Sequence, residues 1–137
     1  MTFVLDNSVA LAWCFEDEQT PELLALLDRV AESGAIAPLL WPLEALNGLL
    51  TAERRRRITQ AKRADLAALL HQLPIVLDRE TADRAWTATA RLAERFTLPL
   101  YDATYLELAH RRQHPTATLD RPLRSAANAL GLKTLPA

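Results

Sequence analysis

Four carboxylates stand apart from the other charged residues of this chain and are the first candidates for chemistry. Asp6 is the only charged residue among the first fifteen, and Glu44 lies in an apolar helical pattern rich in leucine. Asp102 lies in a similarly apolar segment, and Asp120 directly follows the segment 116–119. An ionised carboxylate in apolar surroundings costs free energy unless a partner compensates it. The positions of these acids therefore indicate a function.

Helix capping is the competing explanation for three of the four. Asp6, Asp102 and Asp120 each precede a predicted helix, where aspartate accepts hydrogen bonds from free backbone N–H groups. For any one of them alone, capping explains the residue as well as function does. Glu44 differs, because it lies inside an apolar helical run with no basic residue one turn away.

The elements that must position these acids follow from hydrophobic periodicity. Short apolar segments predict five strands, at 3–5, 35–39, 74–77, 116–119 and 132–135. Longer amphipathic segments predict helices at 9–15, from the Thr20-Pro21-Glu22 cap to the Gly34 stop, and at 42–53, 59–72, 79–96, 102–112 and 121–130. This alternation predicts an α/β fold with a mostly parallel sheet and helices on both faces. The 79–96 helix is expected to bury one face, with Trp86 in the core or at an interface.

Topology predicts that the acids converge. Ligands of open parallel sheets bind at the carboxyl ends of strands, where the strand order reverses. Asp6 and Asp120 each follow a predicted strand, so they face one cleft if those strands are neighbours. Glu44 and Asp102 begin helices at the same edge and complete a cluster of four carboxylates.

A divalent cation is the natural partner of such a cluster. Four unneutralised carboxylates would repel one another and raise one another's pKa values. Oxygen ligands suit Mg²⁺ or Mn²⁺, whereas the single cysteine and three histidines form no zinc pattern. A cation bound there would remove the repulsion among the four carboxylates.

Composition bounds the remaining possibilities. The chain has 137 residues, of which 50% are hydrophobic, and it has one cysteine, Cys14. These values predict one globular domain and exclude a disulfide scaffold. The net charge of −1 argues against nucleic-acid binding by bulk positive charge, but setting the four isolated acids aside leaves 13 acids against 16 basic residues. No targeting or membrane-spanning segment is recognisable, so we expect a cytoplasmic protein without membrane contact.

Four segments resemble the signature regions of PIN-domain ribonucleases, and more narrowly of the VapC-type toxins of bacterial toxin–antitoxin pairs. They occur in the family order and are Val4–Val9, Leu43–Leu50, Leu100–Ala109 and Ala117–Ala127.

The resemblance implies a fold and a set of site residues. The fold would be a single PIN domain over 1–137, a three-layer α/β/α structure with a parallel five-stranded sheet. Asp6, Glu44, Asp102 and Asp120 match the family's acidic tetrad, which serves as both the catalytic and the metal site, with Asp6 and Asp102 the principal ligands of Mg²⁺ or Mn²⁺. Ser8 matches a hydroxyl that steadies the first aspartate, and Asn47 lies one helical turn after Glu44.

The resemblance also implies a function. The chain would be an Mg²⁺-dependent endoribonuclease and the toxin of a toxin–antitoxin module, with RNA as substrate, an antitoxin protein as partner, and a homodimer or larger assembly as its form. Arg121 and Arg124, beside Asp120, are candidate RNA contacts. The basic run Arg54–Arg57 fits either a solvated helix end or a phosphate-contacting ridge.

Two other functions remain open from the sequence. One is a non-catalytic RNA-binding or scaffold protein of the same fold. The other is a phosphoacceptor receiver-like domain, with Asp78 as the acceptor and Lys133 as its partner. The receiver alternative leaves Glu44 and Asp102 unexplained.

Overall fold

The computed structural model describes residues 2–137 and contains one parallel sheet of five strands. The strand order is β3-β2-β1-β4-β5, and every pairing is parallel. The predicted parallel five-stranded sheet is confirmed. The strands are β1 (Val4–Leu5), β2 (Ala35–Pro38), β3 (Ile75–Asp78), β4 (Thr116–Ala117) and β5 (Thr134–Leu135).

Helices flank both faces of the sheet and complete the three-layer α/β/α architecture. They are α1 (Asn7–Cys14), α2 (Pro21–Ser33), α3 (Trp41–Arg54), α4 (Gln60–Gln72), α5 (Thr81–Arg84), α6 (Ala90–Phe96), α7 (Leu100–Arg112) and α8 (Arg121–Ala129). None of the helices in residues 2–137 is long and apolar enough to cross a membrane.

Local sequence signals account for several helix boundaries. Thr20 caps α2 by accepting a hydrogen bond from the Leu23 N–H, and Pro21 occupies the first helical position. Gly34 ends the helix at φ +78°, and a Cβ there would lie 2.8 Å from the Pro74 carbonyl oxygen. Only glycine satisfies both the left-handed φ and this close approach.

The strand order reverses between β1 and β4. Val4 lies beside Thr116 and Leu5 beside Ala117. The two strands therefore end next to each other, β1 before Asp6 and β4 before Thr118. This arrangement is the one that the sequence argument required for Asp6 and Asp120 to share a cleft.

Close helix packing brings α3 toward the end of β1. A Cβ at Gly48 of α3 would lie 2.6 Å from Leu11 Cδ1 of α1, so the missing side chain lets the two helices approach. Helix α7 is buried continuously from Ala103 to Ala109 and packs against the central strands. Both helices that carry an isolated acid are therefore anchored in the core.

The predicted helix over 79–96 is observed from Thr81 to Phe96, with a π-helical turn in its middle. A π-helical stretch, Ala85–Thr89, separates α5 from α6. Thr89 is buried and Leu92, Ala93 and Phe96 pack against the core, so the later part of the predicted face lies inward. Trp86 is 87% exposed, so of the two expected places the core is excluded and an interface stays a prediction.

Candidate active site

Asp6 lies directly after β1 and is almost completely buried. Its Oδ2 accepts hydrogen bonds from Ser8 Oγ at 2.5 Å and from Thr118 Oγ1 at 2.8 Å. Burial raises the pKa of Asp6, the two hydroxyl donors lower it, and the charge of Asp120 raises it further. No donor in residues 2–137 reaches Oδ1, so half of this carboxylate is left without a protein partner.

Thr118 is a site residue that the sequence argument missed. Its side chain is fully buried, donates to Asp6 and accepts a 3.0 Å hydrogen bond from the Asp120 N–H. Ser8 Oγ in turn accepts from the Leu119 N–H at 2.9 Å. These bonds tie the segment after β4 to the start of α1. A polar residue two positions before an isolated acid, at the end of a strand, was the available signal.

Glu44 lies in the first turn of α3 and is paired with a phenol. Tyr105 of α7 donates a hydrogen bond from its hydroxyl to Glu44 Oε1 at 2.5 Å. Burial raises the pKa of Glu44, the Tyr105 hydrogen bond lowers it, and the charge of Asp6 raises it. The pKa of Tyr105 is also raised, mainly by burial, so the phenol remains a neutral donor.

Asp102 occupies the first turn of α7 and is not its cap, because that position belongs to Pro99. Burial and then the charges of Asp120, Asp6 and Glu44, in decreasing order, raise the pKa of Asp102 to about 6. Each of the other three acids therefore lies within electrostatic reach of Asp102. The structure therefore gathers the four predicted carboxylates around Asp102.

Asp120 both caps a helix and faces the other acids. Its Oδ1 accepts a 3.1 Å hydrogen bond from the Leu123 N–H at the start of α8. Its charge also raises the pKa values of Asp6 and Asp102. Capping and membership in the acid cluster are therefore compatible at this position.

The residues present fit a divalent cation in donor chemistry. The acids supply hard oxygen ligands, and no salt bridge within residues 2–137 neutralises any of the four. As the side chains stand, no three His, Cys, Asp or Glu residues in that range are close enough to hold one ion.

The other predicted site residues occupy different environments. Asn47 is exposed and makes no side-chain hydrogen bond to residues 2–137, and Arg121 is exposed beside Asp120. Arg124 donates to the carbonyl oxygens of Thr118, Leu135 and Pro136 at 2.7–3.2 Å. Its guanidinium therefore holds the C-terminal segment, which leaves little of it for an RNA phosphate.

The basic run Arg54–Arg57 contains one residue with a clear structural role. Arg57 pairs with Asp17 and Glu18 and stacks on the ring of Phe15, 3.8 Å from its centroid. It thereby attaches the end of α3 to the segment after α1. Nothing in the structure assigns a role to Arg54, Arg55 or Arg56.

Asp78, the acceptor in the receiver-like alternative, is held in an ion-pair network. Arg111 contacts Asp78 Oδ2 at 2.6 Å and Glu107 at 2.9 Å, and the Asp78 side chain is 3% exposed. Burial raises the pKa of Asp78, but the Arg111 hydrogen bond and charge lower it more. A phosphoacceptor must be accessible, so this geometry does not support the receiver-like alternative.

Comparison with solved structures places the same fold in several proteins. The crystal structure of PAE2754 from Pyrobaculum aerophilum matches with a TM-score of 0.70 and 21% identity, covering 98% of this chain and 92% of that one. FitAcB from Neisseria gonorrhoeae matches with a TM-score of 0.66 and 16% identity, and the match covers 98% of this chain and 96% of that one. VapBC2 from Rickettsia felis, bound to a DNA fragment from its promoter, matches with a TM-score of 0.65 and 12% identity. The match covers 98% of this chain and 97% of that one.

Sequence comparison gives the family. No curated protein matches the chain. The family model described as "PIN domain" matches residues 3–129, a range that contains all four acids. The chain therefore belongs to the PIN-domain family.

Proposed function

We propose that this protein is a metal-dependent endoribonuclease of the VapC type, the toxin of a toxin–antitoxin module. The observation that carries the proposal is the electrostatic coupling of Asp6, Glu44 and Asp120 to Asp102, with no salt bridge to any of the four among residues 2–137. Membership in the PIN family supports a nuclease, because PIN domains are generally nucleases. We take the whole chain, 1–137, as one PIN domain.

In this proposal Asp6 and Asp102 are the principal ligands of Mg²⁺, with Mn²⁺ as a substitute, and Glu44 and Asp120 complete the set. A bound divalent cation supplies charge neutralisation at the phosphoryl oxygens and lowers the pKa of a water molecule. The chain itself supplies orientation. Ser8 and Thr118 hold Asp6 through Oδ2, and Glu44 or Asp120 orients the attacking water through a carboxylate oxygen.

The proposed substrate is RNA and the proposed partner is an antitoxin protein. Arg121, exposed beside Asp120, is suited to contact an RNA phosphate. Solved neighbours of the same fold include VapBC2 and FitAcB, which supports an antitoxin protein as partner. We extend this to a homodimer or a larger toxin–antitoxin assembly.

The test is cleavage of total RNA by purified protein, with Mg²⁺ and with EDTA. We expect Mg²⁺-dependent cleavage that leaves 5′-phosphate and 3′-hydroxyl ends, read by sequencing the RNA ends. Asp6→Asn and Asp102→Asn should abolish it, whereas Asp83→Asn, an exposed acid of α5, should cleave normally. Undiminished cleavage by Asp6→Asn would contradict the proposal, and RNA binding without cleavage by the wild type would favour a non-catalytic scaffold.

A further inference from the structure

The carboxylate of Glu44 has one hydrogen-bonding partner within the described range 2–137, the hydroxyl of Tyr105. The contact spans two helices and 61 residues of sequence. It involves Glu44 Oε1, and no donor in that range reaches Oε2. One oxygen of the carboxylate is therefore fixed, and the other is left for a ligand.

Tyr105 is rigidly placed. It is among the largest fully buried side chains of the protein, with 0% exposure, and lies in the continuously buried part of α7. It follows Asp102 by three residues, so both lie on one face of the helix. The helix that carries Asp102 thus also holds Glu44 through Tyr105.

A neutral donor suits a carboxylate that must bind a cation. A hydroxyl orients the carboxylate without cancelling its charge, whereas lysine or arginine would neutralise it and compete with the ion. Asp6 in the same cleft is held in the same way, by the hydroxyls of Ser8 and Thr118. Asp78, outside the cleft, is held by Arg111 instead. Asp78 also accepts a 3.3 Å hydrogen bond from the Thr81 hydroxyl, so what distinguishes Asp6 and Glu44 from Asp78 is that neither has a basic partner among residues 2–137.

We propose that Tyr105 is a positioning residue, which fixes Glu44 through Oε1 so that Oε2 is presented to the divalent cation and the attacking water. This inference rests on the proposed function for its catalytic consequence. Its effect on binding of a divalent ion can be measured separately.

The experiment compares four variants with the wild type: Tyr105→Phe, Glu44→Ala, their combination, and Tyr101→Phe. The last is a matched control, because Tyr101 lies on the same helix, is 64% exposed and is the only other tyrosine. The measurements are kcat and KM on RNA, Mn²⁺ affinity by calorimetric titration, and the thermal midpoint.

We expect Tyr105→Phe to fold normally and to lower kcat or Mn²⁺ affinity by about 10-fold or more, as for other outer partners of metal ligands, with KM for RNA unchanged. In the Glu44→Ala background the same change should add less than about 2-fold, because its effect passes through Glu44. Tyr101→Phe should match the wild type. Wild-type kcat and Mn²⁺ affinity in folded Tyr105→Phe, or an equal loss with and without Glu44, would overturn the inference.

The two proposals fail differently. If the wild type binds Mn²⁺ but does not cleave RNA, the proposed function fails and the Mn²⁺ affinities still decide the role of Tyr105. If the wild type does not bind Mn²⁺, both are overturned.

A spectroscopic measurement covers the case in which Tyr105→Phe does not fold. In the Tyr101→Phe protein Tyr105 is the only tyrosine, so incorporated 3-fluorotyrosine labels it alone. Its ¹⁹F resonance should shift on addition of Mg²⁺ and should not shift when Glu44 is alanine. An unchanged resonance in protein shown by calorimetry to bind Mg²⁺ would overturn the inference.

Discussion

Thr118 donates a hydrogen bond from Oγ1 to Asp6 Oδ2 over 2.8 Å and joins the carboxyl ends of two neighbouring parallel strands. The same oxygen accepts from the Asp120 N–H, so one hydroxyl orients residues from both sides of the strand reversal. The geometry of the acid cleft therefore depends on a residue without charge.

Replacing Thr118 by valine should reduce RNA cleavage by about 10- to 100-fold, because Asp6 loses a donor that orients it. The unfolding free energy should fall by about 1–3 kcal/mol, since the Asp120 N–H also loses its acceptor. Thr116→Val is the matched control. Thr116 is buried on the same strand and its Oγ1 has no partner, so valine should leave activity unchanged and stability equal or higher. Equal losses in the two variants would show that the Thr118 hydroxyl has no special role.

Asp102→Asn should stabilise the protein in EDTA while abolishing cleavage. The pKa of Asp102 is raised to about 6 by burial and by three neighbouring acids, so at pH 7 the folded state holds a charge that it disfavours. A neutral isostere removes that cost, and we expect a gain of about 1 kcal/mol in urea unfolding. Mg²⁺ should then stabilise the variant less than the wild type. A less stable variant in EDTA would contradict this reading of the cleft.

Arg111→Met should lower the unfolding free energy at pH 7 by about 3 kcal/mol, because it leaves the buried carboxylates of Asp78 and Glu107 unpaired. The pKa of folded Asp78 lies below its usual 3.8, so its stabilising contribution is complete above that value and is lost as the pH falls through the folded pKa. The deficit of the variant should therefore shrink as the pH falls below 3.8, as followed by urea unfolding. Arg112→Met, at an exposed side chain 3.8 Å from Asp78, should change stability by less than about 0.5 kcal/mol. A deficit independent of pH would rule out the ion pair as its cause.

Arg121→Gln and Arg124→Gln should separate RNA binding from stability. Arg121 is exposed, so its loss should weaken RNA binding and reduce the slope of log affinity against log salt by about 0.7. Arg124 donates to three backbone carbonyls, so its loss should lower the unfolding free energy by about 2 kcal/mol and leave the salt slope unchanged. Titration of RNA at several salt concentrations, beside urea unfolding, measures both. A changed slope for Arg124→Gln alone would reverse the assignment.

Local chemistry in the sequence was sufficient to predict much of the fold. The Thr20-Pro21 cap and Gly34 stop bound α2 because capping and backbone conformation depend on a few consecutive residues. The alternation of short apolar and long amphipathic segments likewise predicted the parallel sheet. The sequence did not decide between core and interface for Trp86, and no local signal marks the π turn in which this exposed residue lies.

The sequence by itself determined the identity of the four acids, since Asp6, Glu44, Asp102 and Asp120 are isolated among apolar residues at positions that resemble a known family. Only the tertiary structure decided which groups hold them. Thr118 lies 112 residues from Asp6 and Tyr105 lies 61 from Glu44, so their contacts exist only once β1 meets β4 and α3 meets α7. Because their hydroxyls are neutral, Thr118 and Tyr105 do not stand out in the charge pattern of the sequence. Its role depends on where burial and packing place it.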